Sequence, residues 1–313
     1  MLLRNLTAFR LPLRLASELF DAAALEATLA AHRLRPVGAL ELQSQGFVSP
    51  YGDADAEPHT DAAPALVASV GHARLLAVGA ESRVLPAAAV NAELARRVTA
   101  KEQAAGRPLG NRARRQLRED LLGELLPRAL VVPSRRWLLL DPTRGLVWVD
   151  SASRKASEAA VSLLRHALGS LPALPLAAEV APRAVLSGWL AGEPLPTGFA
   201  LGDEVELRDP ADHGAIARLQ RQDLASDEVR QHLQAGKQAT RIGLAWQDRA
   251  HFSLGEDLVL RKFSLLDAAL GTLDGESREA RAELDARLAL FAGELGEVFD
   301  ALAPALHFSQ VDA

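Results

Sequence analysis

The sequence predicts an α+β fold of mixed helices and antiparallel sheets, on three observations. Apolar residues recur at helical spacing in several stretches rich in Ala and Leu. Short strand-like segments sit in pairs around turn residues, as hairpins do. Neither kind follows the strand–helix–strand rhythm of a doubly wound parallel sheet. At 313 residues the chain is long enough for one large domain or two to three smaller ones. The expected organisation is one unit over 1–313 with discontinuous subdomains, containing a basic helical segment at 87–136 and an acidic helical tail at 264–313.

The elements follow in order. Residues 2–11 read as a strand, with Leu6 alternating against polar neighbours, and 16–32 as an Ala/Leu-rich helix carrying Leu19, Phe20, Ala23, Ala27 and Ala30 near 3.6-residue spacing. Residues 43–63, rich in Gly, Ser, Asp and Pro, read as a long loop. Residues 66–70 and 73–78 flank a Gly71-His72 turn and form a hairpin. Pro86 opens a helix over 87–105, the stretch Gly106 to Gly110 interrupts it, and a second helix spans 111–126 until Pro127 stops it. A second hairpin joins 136–140 to 145–149 through Asp141-Pro142-Thr143-Arg144. Ser151 or Ser153 caps a helix that ends at Gly169. Pro and Gly punctuate 171–175 and 192–198. Strand-like segments recur at 203–207, 214–220, 239–246 and 257–263, and a short helix from Ser226-Asp227-Glu228 ends at Gly236. Residues 275–302 form a long amphipathic helix or helix pair.

Composition excludes several chemistries. The chain has no Cys, which removes disulfides, thiolate metal sites and cysteine nucleophiles. No Gly-rich phosphate loop, dinucleotide fingerprint or nucleophile elbow is present, so no cofactor is expected. No two histidines stand at i, i+3 or i, i+4. One cluster, Asp53, Asp55, His59 and Asp61, resembles a metal site, but a solvated acidic loop accounts for it better, so no metal is expected. No apolar run reaches about 18 residues and no signal-peptide core opens the chain, so a cytoplasmic protein without a membrane partner is expected.

The strongest signal is charge. Residues 96–136 hold eleven basic and four acidic side chains, a net +7, whereas the remainder holds 24 basic and 36 acidic. On the helix over 111–126, Leu117, Leu121, Leu122 and Leu125 form one apolar stripe. Arg112 and Arg115 share a flank with Glu119, and Arg114 and Arg118 share another. Pairing of these arginines with Glu119, Asp120 and Glu124 would make an ordinary solvated helix face. The arginines outnumber those acids, and Arg96, Arg97 and Lys101 add to the same region. Polyanion binding is therefore expected, since Arg and Lys that neutralise phosphates release condensed counterions. No aromatic residue interleaves before Trp137, which points away from base stacking and toward the sugar–phosphate backbone. Neutralising roughly 4 to 8 phosphates would give a log–log salt slope on the order of −4 to −7.

Several segments, in order, are similar to the RdgC family of bacterial recombination-associated proteins. They begin with Leu3-Arg4-Asn5-Leu6, Phe9-Arg10-Leu11, Gly46-Phe47-Val48-Ser49-Pro50, Leu85-Pro86 and Leu125-Leu126-Pro127-Arg128-Ala129. Gly145-Leu146-Val147-Trp148-Val149-Asp150, Leu163-Leu164-Arg165 and Leu168-Gly169-Ser170-Leu171-Pro172 come next. Gln222-Asp223-Leu224, Ala235-Gly236-Lys237 and Leu244-Ala245-Trp246-Gln247 complete the set. The resemblance implies a non-enzymatic DNA-binding protein of the nucleoid, a ring-forming homodimer able to encircle duplex DNA. It would bind double-stranded and also single-stranded DNA without sequence preference and antagonise the RecA recombinase. Arg96, Arg97, Lys101, Arg112, Arg114, Arg115, Arg118, Arg128, Arg135, Arg136, Arg221 and Gln222 are the expected DNA-facing residues. Leu130 stands where the family carries an aromatic at a dimer contact. Two other classes compete: an interaction module whose arginine surface docks an acidic partner, and, more distantly, a nuclease.

Overall fold

The computed structural model describes residues 3–52, 63–211, 215–271 and 280–309. The Asp53, Asp55, His59 and Asp61 cluster lies outside them. Helices and antiparallel ladders are mixed along the chain, as an α+β fold requires. Two units emerge, one of residues 1–31, 49–77 and 136–313, the other of residues 32–48 and 78–135.

The larger unit is built on an antiparallel sheet. Its strands are β1 (Leu6–Arg10), β6 (Leu146–Asp150), β8 (Phe199–Arg208), β9 (Ile216–Gln220), β10 (Gln238–Trp246), β11 (Ala250–Gly255) and β12 (Leu260–Leu265), in the order β6-β1-β12-β11-β10-β8-β9. The later half of β5 (Val131–Asp141) pairs with β6, the short β7 (Leu174–Pro175) with β1, and β3 (Val67–Val70) with the start of β4 (Ala73–Arg83). Among the described residues seven helices belong to this unit: α1 (Leu13–Leu19), α2 (Ala22–Ala30), α5 (Arg154–Leu168), α6 (Pro182–Ala191), α7 (Asp227–Gln234), α8 (Asp267–Leu270) and α9 (Ala280–Leu306).

The core of this unit is legible in α9. Leu288, Phe291, Leu295, Val298, Leu302 and Leu306 recur every three or four residues and are all buried. They meet Phe252, Phe263 and Trp148 from the sheet. The few aromatics of the chain gather here, Phe263 lying 5.6 Å from Phe252 and 5.3 Å from Phe291 between ring centroids. Trp148 meets Phe299 edge-on at 5.9 Å.

The other face of β8, β9 and β10 carries charge, because alternation along β8 buries Val205 and Leu207 and turns Glu204, Glu206 and Arg208 the opposite way. Glu206 accepts hydrogen bonds from Arg218 Nε (2.8 Å), Arg208 Nε (3.0 Å) and Nη2 (2.9 Å), Arg241 Nη2 (3.0 Å) and Thr240 Oγ1 (3.2 Å). Burial by itself would raise its pKa, but those donors, Arg218 and Arg208 foremost, hold it at about 2. The sign of the pH dependence follows. A carboxylate depressed in the folded state stabilises it above the unfolded pKa near 4.3 and loses that contribution as pH falls toward 2. Wild type is expected to exceed Glu206→Gln by on the order of 2 kcal/mol at pH 7, with the two curves converging near pH 2. Urea unfolding at both pH values measures this, and a pH-independent difference would refute it.

The smaller unit holds β2 (Gln43–Val48), the end of β4, the start of β5, and the helices α3 (Ala87–Ala105) and α4 (Asn111–Leu125). Gly46 makes its sheet possible. A Cβ there would lie 2.4 Å from the backbone nitrogen of Leu34, whose N–H donates to the Phe47 carbonyl at 2.9 Å.

The structure departs from the sequence reading in five places. The helix expected over 16–32 is two helices, because Asp21 takes an extended conformation and its carboxylate caps α2 by accepting the Ala24 N–H at 2.9 Å. Residues 43–48, read as loop, are strand β2, with Ser44 and Phe47 buried. Helix α6, opened by Pro182 at its first position, occupies a stretch read without structure. The strand placed at 257–263 is β12, shifted to 260–265, and β11 before it was unread. Its turn hides because Gln247 and Asp248 adopt positive φ (46° and 53°) without the glycine that announces such turns. Among the described residues no helix is long and apolar enough to cross a membrane.

Candidate nucleic-acid interface

The basic segment folds as a helical hairpin. Pro86 precedes α3, Gly106 ends it in the left-handed conformation (φ 65°), and Gly110 leads into α4. Leu117 and Leu121 bury one side of α4, and Leu126 follows them in a 3₁₀ turn. Arg83 of β4 closes the far end, donating through Nη1 to the carbonyls of Leu126 (3.0 Å) and Ala129 (3.3 Å). These carbonyls lie beyond the last helical turn, where intrahelical donors run out.

Ion pairs sort the predicted arginines into two groups. Arg97, with its side chain 32% exposed, has all three nitrogens engaged: Nε meets Glu93 at 3.0 Å, and Nη1 and Nη2 meet Glu124 at 3.1 and 2.7 Å. The Glu124 hydrogen bonds chiefly, then those of Glu93, raise the Arg97 pKa above its ordinary value. Arg97 therefore ties α3 to α4. Arg96 meets Glu93 at 2.6 Å, and Arg114 meets Glu102 at 2.9 Å. The Leu109 N–H, then Arg114, depresses the Glu102 carboxyl below the usual range.

Arg112, Arg115 and Arg118 are exposed, and among the described residues they have no hydrogen-bond or ion-pair partner. The acids on their own helix are spent elsewhere or stand apart. Glu124 serves Arg97, and Asp120 accepts the Gln116 amide at 2.9 Å. Glu119 takes no arginine. Lys101, Arg107 and Arg128 are likewise exposed and outside any ion pair, although Arg128 contributes to the field that depresses Glu124. This arrangement leaves six exposed cations on the hairpin and the turn that follows it.

The remaining predicted residues are placed differently. Arg135 is exposed and Arg136 half-buried, both on β5. Arg221 and Gln222 lie in the larger unit, in the turn between β9 and α7. Arg221 is exposed with φ 55°, while the Gln222 amide donates to Glu228 at 2.6 Å and its backbone N–H to the Asp203 carbonyl at 3.2 Å. Leu130 is 79% exposed and heads an apolar strip with Val84, Val131 and Val132. Its carbonyl accepts the Val84 N–H at 2.9 Å, so the strip sits on paired backbone. Among the described residues no group of three or more His, Asp or Glu is placed to hold a metal ion. The sequence reading missed the charged sheet face around Glu206, whose residues are scattered over more than thirty positions. The alternation Glu204-Val205-Glu206-Leu207-Arg208 was the available signal.

Comparison with known proteins places this sequence among bacterial proteins named for an association with recombination. A family model described as "Putative exonuclease, RdgC" matches residues 1–308. The "Recombination-associated protein RdgC" of Xanthomonas campestris pv. campestris (strain B100) is 46% identical over 314 residues, covering the whole of both chains. Those of Xanthomonas axonopodis pv. citri (strain 306) and Stenotrophomonas maltophilia (strain R551-3) are 46% and 44% identical, again over the full length of each. The chain belongs to the RdgC family.

Proposed function

We propose that this chain is a sequence-independent DNA-binding protein that works as a homodimer and limits the access of RecA to DNA in the nucleoid. The observation that carries the reading is the set formed by Arg112, Arg115 and Arg118, exposed on α4 and unneutralised by the acids beside them. An ordinary solvated helix face would pair its charges along the helix. Here Glu124 is drawn to Arg97 of α3 and Arg114 of α4 to Glu102, while Arg112, Arg115 and Arg118 stay available. A guanidinium fork suits two phosphate oxygens and is weakly hydrated, which favours backbone contact over base reading. Lys101, Arg107 and Arg128 extend the basic surface within the same unit. The exposed Leu130 strip supports self-association, because large apolar side chains at this exposure gain by covering one another.

Mobility shifts of unrelated duplexes across a salt series test this reading. Binding to all sequences alike, falling linearly in log–log form, is the expected result, and undetectable binding at low salt would refute it. The arginine surface could instead dock an acidic protein; such a protein would bind while DNA would not. The family description favours one further reading, an exonuclease. End-labelled linear duplex with Mg²⁺ is expected to remain at full length, and progressive shortening from an end would establish the nuclease.

A further inference from the structure

We propose that the open face of the sheet in the larger unit is a second DNA phosphate-binding surface, on which Arg208, Arg218 and Arg241 contact the backbone and Glu206 positions them. The inference rests on the DNA-binding reading above and extends it to residues outside the basic hairpin.

Three guanidinium groups from three adjacent strands converge on one carboxylate whose side chain is 8% exposed. The strand register brings them there, since Glu206 stands opposite Arg218 on β9 and opposite Arg241 on β10. The acid sits low on the sheet and the arginines reach outward from it, so the layer that meets solvent is basic. Arg218 engages only its Nε and Arg241 only its Nη2, which leaves further N–H donors on each without a protein partner among the described residues. A guanidinium held at one edge presents the opposite edge in a fixed direction, and such preorganisation reduces the entropy lost on binding.

The same construction repeats beside it. Lys262 and Ser253 both donate to Glu204, and Arg261 pairs with Asp257 at 2.5 Å. Two glycines make room. A Cβ at Gly243 would press on Glu204 Cγ at 3.2 Å, and one at Gly255 would lie 2.3 Å from Asp257 Oδ1. Five cations thus stand over three carboxylates on one face, while the opposite face is closed by the core residues Val205, Leu207, Ile242 and Leu254. A repeating polyanion matches such a surface better than a single small anion, because the cations are spread over β8, β9, β10 and β12.

The experiment measures duplex affinity against salt for wild type, Arg208→Ala/Arg218→Ala and Glu206→Gln, with circular dichroism and melting recorded for each. The double variant is expected to flatten the log–log slope by about 2 and to bind roughly 10- to 100-fold more weakly near 0.1 M salt. Glu206→Gln adds a net positive charge, so a purely electrostatic face would bind DNA more tightly. The positioning role predicts the opposite sign, a several-fold weakening. Equal or tighter binding by folded Glu206→Gln, or an unchanged slope in the double variant, would overturn the proposal. Where either variant fails to fold, Glu206→Gln/Arg208→Ala/Arg218→Ala, which strands no buried carboxylate, decides by its slope. Loss of binding on changing the α4 arginines, with none on changing the sheet arginines, would sink this inference and leave the DNA-binding reading standing. No binding by wild type would remove both.

Discussion

Replacing Arg112, Arg115 and Arg118 together with alanine is expected to weaken duplex binding by about 100- to 1,000-fold near 0.1 M salt, with the log–log slope flattened by about 3. Each phosphate neutralised contributes about 0.9 to that slope, so three contacts account for the change, and the curves should converge toward 1 M salt. The fold should survive. All three side chains are exposed and bond to nothing among the described residues, and alanine is the better helix former. Arg97→Ala is the informative contrast, because it frees Glu124 and loosens α3 from α4. Its loss should appear first in melting temperature and only secondarily in slope. Unchanged affinity and slope in the triple variant would refute the DNA role of α4.

Leu130→Asp is expected to raise the dimer dissociation constant by at least about 100-fold, or roughly 3 kcal/mol, without unfolding the chain. The side chain is 79% exposed, so a carboxylate there costs the isolated subunit little. In a two-fold interface each substitution occurs twice, and two desolvated carboxylates would face the same apolar strip of Val84, Val131 and Val132. Leu130→Phe supplies the aromatic that the family resemblance implies for this position and should hold the dimer at least as tightly. Sedimentation velocity over a concentration series distinguishes the three proteins. A dimer equally stable in the Asp variant would exclude Leu130 from the contact, and retention of the variant on closed circular DNA would count against a ring that depends on it.

The helical hairpin was legible almost to the residue, because Pro86, Gly106, Gly110 and Pro127 bracket two runs with clear periodicity. Asp21 concealed the break between α1 and α2, since the alanines around it suit a continuous helix and the cap shows itself only in the backbone geometry. The turn before β11 was illegible for a related reason. Gln247 and Asp248 take left-handed conformations that the surrounding ladder imposes rather than their own preference.

The candidate site divides in the same manner. The concentration of arginines between 96 and 136 is a property of the chain, and so is the apolar stripe that fixes which side of α4 must pack. Whether a given arginine is free depends on partners distant in sequence. Arg97 and Glu124 are 27 positions apart, and their pairing spends Arg97 on the junction between α3 and α4. The basic sheet face is further from view, because its cations come from four strands and owe their common direction to a buried carboxylate. The sequence by itself determined the class of fold, the hairpin and the sign of its charge, since these follow from composition and local periodicity. Only the tertiary structure decided which charges are spent and which are offered, because ion pairs form between strands and helices that chain folding alone brings within reach.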